Sequence, residues 1–119
     1  MKYVTVAPRS KVEVEAAISR NDPDELLKAV ISAALHSDDP GWAEDVCLRL
    51  AKHEHFNVRG NAILGFGHLA RIHRRLDERR VKPLIETALR EANDYVRGQA
   101  DAAADDVEFF LKWKIDRRG

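Results

Sequence analysis

Three groups of residues in this 119-residue chain carry side chains capable of chemistry. The first is His53-Glu54-His55, two imidazoles flanking a carboxylate. Zinc requires three or four converging ligands, and histidines two apart suit a strand or loop better than a helix. With one carboxylate beside them, a polar turn is expected and no metal ion. The second group is His68 and His73, interleaved with Arg71, Arg74 and Arg75. Five residues apart, the imidazoles do not share a helix face closely. The sequence places no nucleophile or paired acid beside them, which acid–base catalysis would need. Cys47, the third, follows Val46 and precedes Leu50 on one apolar helical stripe, so it reads as core and not as a nucleophile. No phosphate loop, nucleophile elbow or dinucleotide fingerprint occurs. The expectation is a non-catalytic protein with no cofactor.

Two charged clusters invite a binding role instead. The run "RIHRRLDERRVK" at 71–82 sets Arg71, Arg74, Arg75, Arg79, Arg80 and Lys82 against Asp77 and Glu78. Nucleic acid is one reading, but the run lacks the interleaved aromatics on which bases stack. Basic residues at a helix C-terminus also complement the helix dipole, so a solvated face or a protein contact is preferred. The second cluster is Asp101, Asp105, Asp106 and Glu108. Such a strip can mimic a phosphate backbone and so block a basic partner.

The totals set the frame. Twenty basic and twenty acidic side chains cancel, which argues against a surface built throughout for nucleic acid or anionic membrane. Residues 1–58 hold seven basic against ten acidic groups, and residues 59–119 thirteen against ten, a weak dipole. A single cysteine precludes an internal disulfide and suits a reducing compartment. The apolar run from Tyr3 to Ala7 is too short for a signal-peptide core, and no stretch nears the roughly 20 apolar residues that span a bilayer. A cytoplasmic, single-domain protein is expected.

Helix signals punctuate the chain. Ser10 and Glu13 are spaced as a capping box, although "VEVEAAIS" begins with strand-like alternation, so residues 1–21 are read as an irregular N-terminal segment in which a helix over 10–20 is left open. Asp22-Pro23 and Asp39-Pro40 are helix starts followed by apolar residues at helical spacing. Further helices are expected from Val58 to about Arg75, from Asp77, and from about Tyr95 to Trp113, with 114–119 a frayed tail. That makes five to six helices and no convincing strand.

The phrase "NVRGNA" at 57–62 returns as "YVRGQA" at 95–100. Val58, Arg59, Gly60 and Ala62 fall on Val96, Arg97, Gly98 and Ala100, thirty-eight residues on, and the preceding helices align as well. A period near 40 residues marks a two-helix repeat whose copies bury their stripes only when stacked. The x-V-R-x-x-A opening resembles the HEAT-repeat signature. In that family a proline often precedes the arginine by fourteen residues, as Pro83 precedes Arg97; Asp45 stands in that place before Arg59. An acidic residue at the turn often meets the arginine, which implies an Arg97–Glu91 pair; His53 occupies the equivalent place before Arg59.

The resemblance implies an all-α, HEAT-like stack of about three antiparallel hairpins over 22–113. Ile63, Gly67, Ala70 and Arg74 correspond to Asp101, Asp105, Glu108 and Lys112, an apolar face turned charged. A terminal cap is therefore expected, and with it a complete stack. The second helices line the inner face in this family, which nominates Asn61, His68, Arg71 and Arg75, with counterparts Gln99, Asp106, Phe109 and Trp113. Trp113 is equally suited to closing the core. Small bacterial immunity proteins that neutralise a toxin share such folds. The resemblance thus implies an inhibitor of a partner protein, with Asp101, Asp105 and Asp106 suited to a basic nuclease toxin. A nucleic-acid binder acting through 71–82, a scaffold or adaptor, and a lyase-type enzyme are the alternatives.

Overall fold

The computed structural model describes residues 6–117, and within it every helix begins at a side chain able to accept a backbone N–H. Ser10 and Glu13 complete the capping box, with Glu13 N–H donating to Ser10 Oγ at 3.1 Å and Ser10 N–H to Glu13 Oε1 at 2.9 Å. Helix α1 (Lys11–Arg20) follows directly, so the capping-box spacing prevails over the strand-like alternation that had left this stretch open. Its strand-like alternation has a helical solution: Val14 is buried and Val12 is left in solvent. Asp22 and Asp39 cap α2 (Pro23–His36) and α3 (Pro40–Leu50), each with proline in the first turn. His55 caps α4 (Phe56–His73), Asp77 caps α5 (Glu78–Leu89) and Asn93 caps α6 (Asp94–Leu111). Residues 6–117 contain no strand, and none of their helices is long and apolar enough to cross a membrane.

The helices pair as hairpins α1–α2, α3–α4 and α5–α6, and the second helices form a layer in which α4 contacts both α2 and α6. The repeated phrase explains itself here. Val58 and Val96, like Ala62 and Ala100, are fully buried at equivalent places in successive hairpins. The central helix approaches its neighbours closely. A Cβ on Gly65 would lie 2.6 Å from Cys47 Sγ, and one on Gly67 would lie 2.8 Å from Asp106 Oδ2. Glycine costs helix propensity of about 1 kcal/mol per position, and the contact is what it permits.

The repeated arginines do a common task. Arg59 donates to the carbonyls of His53 and Glu54, and Arg97 to those of Glu91 and Ala92, so each ties its hairpin turn to the second helix. The expected Arg97–Glu91 side-chain pair is corrected. The Glu91 carboxylate turns back to Arg59, whose Nε donates at 3.0 and 3.1 Å and whose Nη2 also pairs with it. Arg97, already bound to the turn carbonyls, takes Asp94 instead. The ion pair therefore joins two hairpins, not the ends of one. Pro83 lies inside α5, where it removes one helical N–H donor.

The segment after α6 is also corrected. Its part within residue 117 is not frayed but folds back on the last hairpin. The Asp116 N–H donates to Glu86 Oε2 at 2.8 Å, and Arg117 pairs with Asp101 at 2.6 Å, Asp105 at 2.7 Å and Glu108 at 2.5 Å. Residues 1–5 and 118–119 of the two expected terminal segments lie outside the described residues.

Candidate partner-binding face

The side chains nominated for binding divide into three sets once α4 and α6 are placed side by side. Asn61 leaves the list of exposed groups. It is buried, and its amide donates to Asn57 O at 2.8 Å and to Tyr95 Oη at 2.8 Å. Gln99, its counterpart, donates to the same hydroxyl at 3.0 Å. Tyr95 thus collects the two equivalent amides of successive hairpins, a role its partly exposed ring gives no hint of in the sequence. Phe56 meets the Tyr95 ring edge-on, with centroids 5.8 Å apart. Trp113 is partly buried and packs against the core.

Asp101 and Asp105 remain exposed on α6, but they are not free anions. Arg117 binds both and Glu108 with them, so one guanidinium answers three carboxylates. The strip read as a phosphate mimic is partly neutralised by the chain itself. The signal was present only as an arginine near the chain end, with nothing to say where it would fold.

The third set stays together. His68, Arg71 and Asp106 meet on the α4–α6 face. An Arg71 Nη2–H donates to His68 Nδ1 at 3.0 Å, which holds the ring in the tautomer with its proton on Nε2. Burial, with the nearby Arg71 charge adding to it, pushes the His68 pKa down to about 4, so the ring is neutral at pH 7. Burial raises the pKa of Asp106, opposed by Arg71 and reinforced by Asp105. Arg75 is exposed beyond the end of α4. Within residues 6–117, Arg71, Arg75, Arg79 and Arg80 make no ion pair; in the same basic run only Lys82 does, with Glu78.

His53, Glu54 and His55 form the α3–α4 turn. His53 donates to Asn21 Oδ1 at 2.8 Å and accepts from the His55 N–H at 3.0 Å, and His55 Nδ1 caps α4. No group of three His, Cys, Asp or Glu side chains within residues 6–117 is placed to hold a metal ion. Burial pushes the Cys47 thiol up to about 12.

These features define a class: an all-α stack of three helical hairpins whose last two second helices present a mixed charged and aromatic face. No family model matches the sequence, and no curated protein matches it either. Among solved structures, a chain of the crystal structure of a CDI complex from Cupriavidus taiwanensis LMG 19424 is similar over nearly its whole length. The TM-score is 0.78 at 26% identity, covering 92% of this chain and 97% of that chain.

Proposed function

We propose that this chain is an immunity-type protein that binds a partner toxin in a contact-dependent inhibition pair and neutralises it without catalysis, in the cytoplasm. The observation that carries the reading is the likeness to a chain of a CDI complex, end to end in both molecules. The HEAT-like resemblance supports it through the repeated hairpin alone. A binding role fits the site: His53 and His55 serve the α3–α4 turn, and Arg75 and Phe109 are exposed. A basic nuclease as the toxin draws less support, because Arg117 already answers Asp101 and Asp105. The second reading is nucleic-acid binding, favoured by the unpaired Arg75, Arg79 and Arg80.

The test is genetic and direct. The polypeptide encoded immediately upstream of this chain's gene is expressed alone in a tolerant host under an inducible promoter. Growth arrest, relieved when this chain is co-expressed, is the expected result. A polypeptide that leaves growth untouched, or an arrest that co-expression does not relieve, overturns the proposal.

A further inference from the structure

The C-terminal ends of α4 and α6 carry the same unusual feature. Arg74 and Lys112, thirty-eight residues apart, both stand just past their helix in the left-handed region, at φ 57 and φ 61. Glycine or asparagine is the usual occupant of that position, as Asn21 is at the end of α1, and a long side chain such as arginine or lysine is strained there. Each of these cations instead lies over a phenylalanine of α6. The Arg74 guanidinium carbon is 4.6 Å from the centre of the Phe110 ring, and Lys112 Nζ is 5.2 Å from that of Phe109. The two rings meet edge to face with centroids 4.8 Å apart. Phe110 packs against the core, while Phe109 is 67% exposed.

The charges around the ring are one-sided. Arg71 donates to His68 and not to a carboxylate, and neither Arg74 nor Lys112 makes an ion pair within residues 6–117. The acids on the same helix are accounted for: Asp105 and Glu108 are held by Arg117, and Asp106 is half-buried beneath Arg71. What remains is an exposed aromatic ring covered on one face by Lys112 and set beside the Phe110–Arg74 pair, with neither cation in an ion pair within residues 6–117; aromatic rings and arginines are the residue types that concentrate binding energy in protein interfaces.

We propose that this corner is where the chain docks its partner, and that the occupant is an acidic protein surface. Phe109 enters an apolar recess of it, and Lys112 and Arg74 meet its carboxylates. The proposal rests on the immunity reading and names the face that reading uses. Nucleic acid fits less well. Single strands stack successive bases on several rings along a groove, whereas only Phe109 is offered here and Lys112 covers one of its faces. Strained backbone that holds two cations over two neighbouring rings is the kind of feature that persists where it serves a contact.

The polypeptide encoded upstream, in a catalytically inactivated form, is titrated calorimetrically into the full-length wild type and into Phe109→Ala, Lys112→Gly and Asp101→Asn variants, with melting temperatures measured in parallel. Phe109→Ala should bind at least about thirtyfold more weakly at an unchanged melting temperature. Lys112→Gly should weaken binding several-fold, most at low salt, while its melting temperature holds or rises, because glycine suits the left-handed backbone. Asp101→Asn should bind as wild type. A purely structural role would lower melting temperature and leave affinity alone. If wild type binds and both corner variants bind equally well, this face is refuted and the immunity reading stands. If wild type does not bind, both fall together. Salt-sensitive binding of a single-stranded DNA that the same variants abolish, or a concentration-dependent dimer lost in Phe109→Ala, also overturns it.

Discussion

Lowering the pH from 7 to 5 should destabilise this fold through His68. Burial holds its pKa at about 4 in the folded chain, against 6.5 when unfolded. The folded value is the lower one, so the unfolded chain takes up the proton first. The stabilisation is fully present above the unfolded value and is lost as pH falls toward the folded one. Over the stated interval the linkage amounts to about 2 kcal/mol, since each pKa difference of one corresponds to about 1.4 kcal/mol. For a domain of this size that is roughly 8 °C in melting temperature. Asp106 works in the opposite sense: its pKa is raised by burial, so its contribution improves as pH falls. Glu15, bound by Arg49 and Trp42, is held down to about 2 and titrates below the interval. Urea denaturation of wild type and His68→Gln at both pH values isolates the histidine. The variant should lose about 2 kcal/mol less than wild type between the two conditions. Equal losses in both proteins would refute the assignment of a neutral, buried imidazole.

Arg59→Ala should cost about 2 kcal/mol in urea denaturation, because it strands the half-buried Glu91 carboxylate and two turn carbonyls together. Arg97→Ala should cost about 1 kcal/mol, since its partner Asp94 is 91% exposed and solvent screens that pair. Gly65→Ala should destabilise by about 2 kcal/mol through its clash with Cys47, measured by thermal melting. Gly98→Ala, with nothing within 4 Å of the added carbon, should instead stabilise by about 0.5–1 kcal/mol. Cys47, fully buried and with its thiol pKa at about 12, should resist a disulfide exchange reagent until denaturant is added, and native reactivity would contradict its placement.

The hairpin stack was legible because each copy must bury a valine and an alanine at the same helical positions and tie its turn with an arginine. Two copies of one solution write nearly the same phrase, and Val58 and Val96 show why. The Asp-Pro starts were readable for a similar reason, since each obeys a local backbone rule. What was not legible depends on where the chain goes next. Glu91 stands only six residues before Arg97, yet its carboxylate reaches back across the stack to Arg59. Arg117 is one of several terminal cations, and only the fold-back puts it over Asp101 and Asp105. Asn61 lies one residue beyond the Val-Arg-Gly run on a helix whose outward face looked free, and a tyrosine thirty-four residues on captures its amide. Phe109 was legible as a face residue by register, but its exposure and its covering lysine were not. Local rules survive translation into sequence, whereas contacts between hairpins leave no spacing to read.

The central claim is that this chain binds one protein and not a nucleic acid. Affinity capture of the tagged chain from its source cells in low salt, followed by a salt step, tests it most directly. The account predicts a single stoichiometric polypeptide, encoded next to this chain's gene, with a protein-like ultraviolet absorbance ratio that persists after the salt step. A nucleic-acid-like ratio that collapses in salt, with no stoichiometric protein, would contradict it and return the argument to Arg75, Arg79 and Arg80.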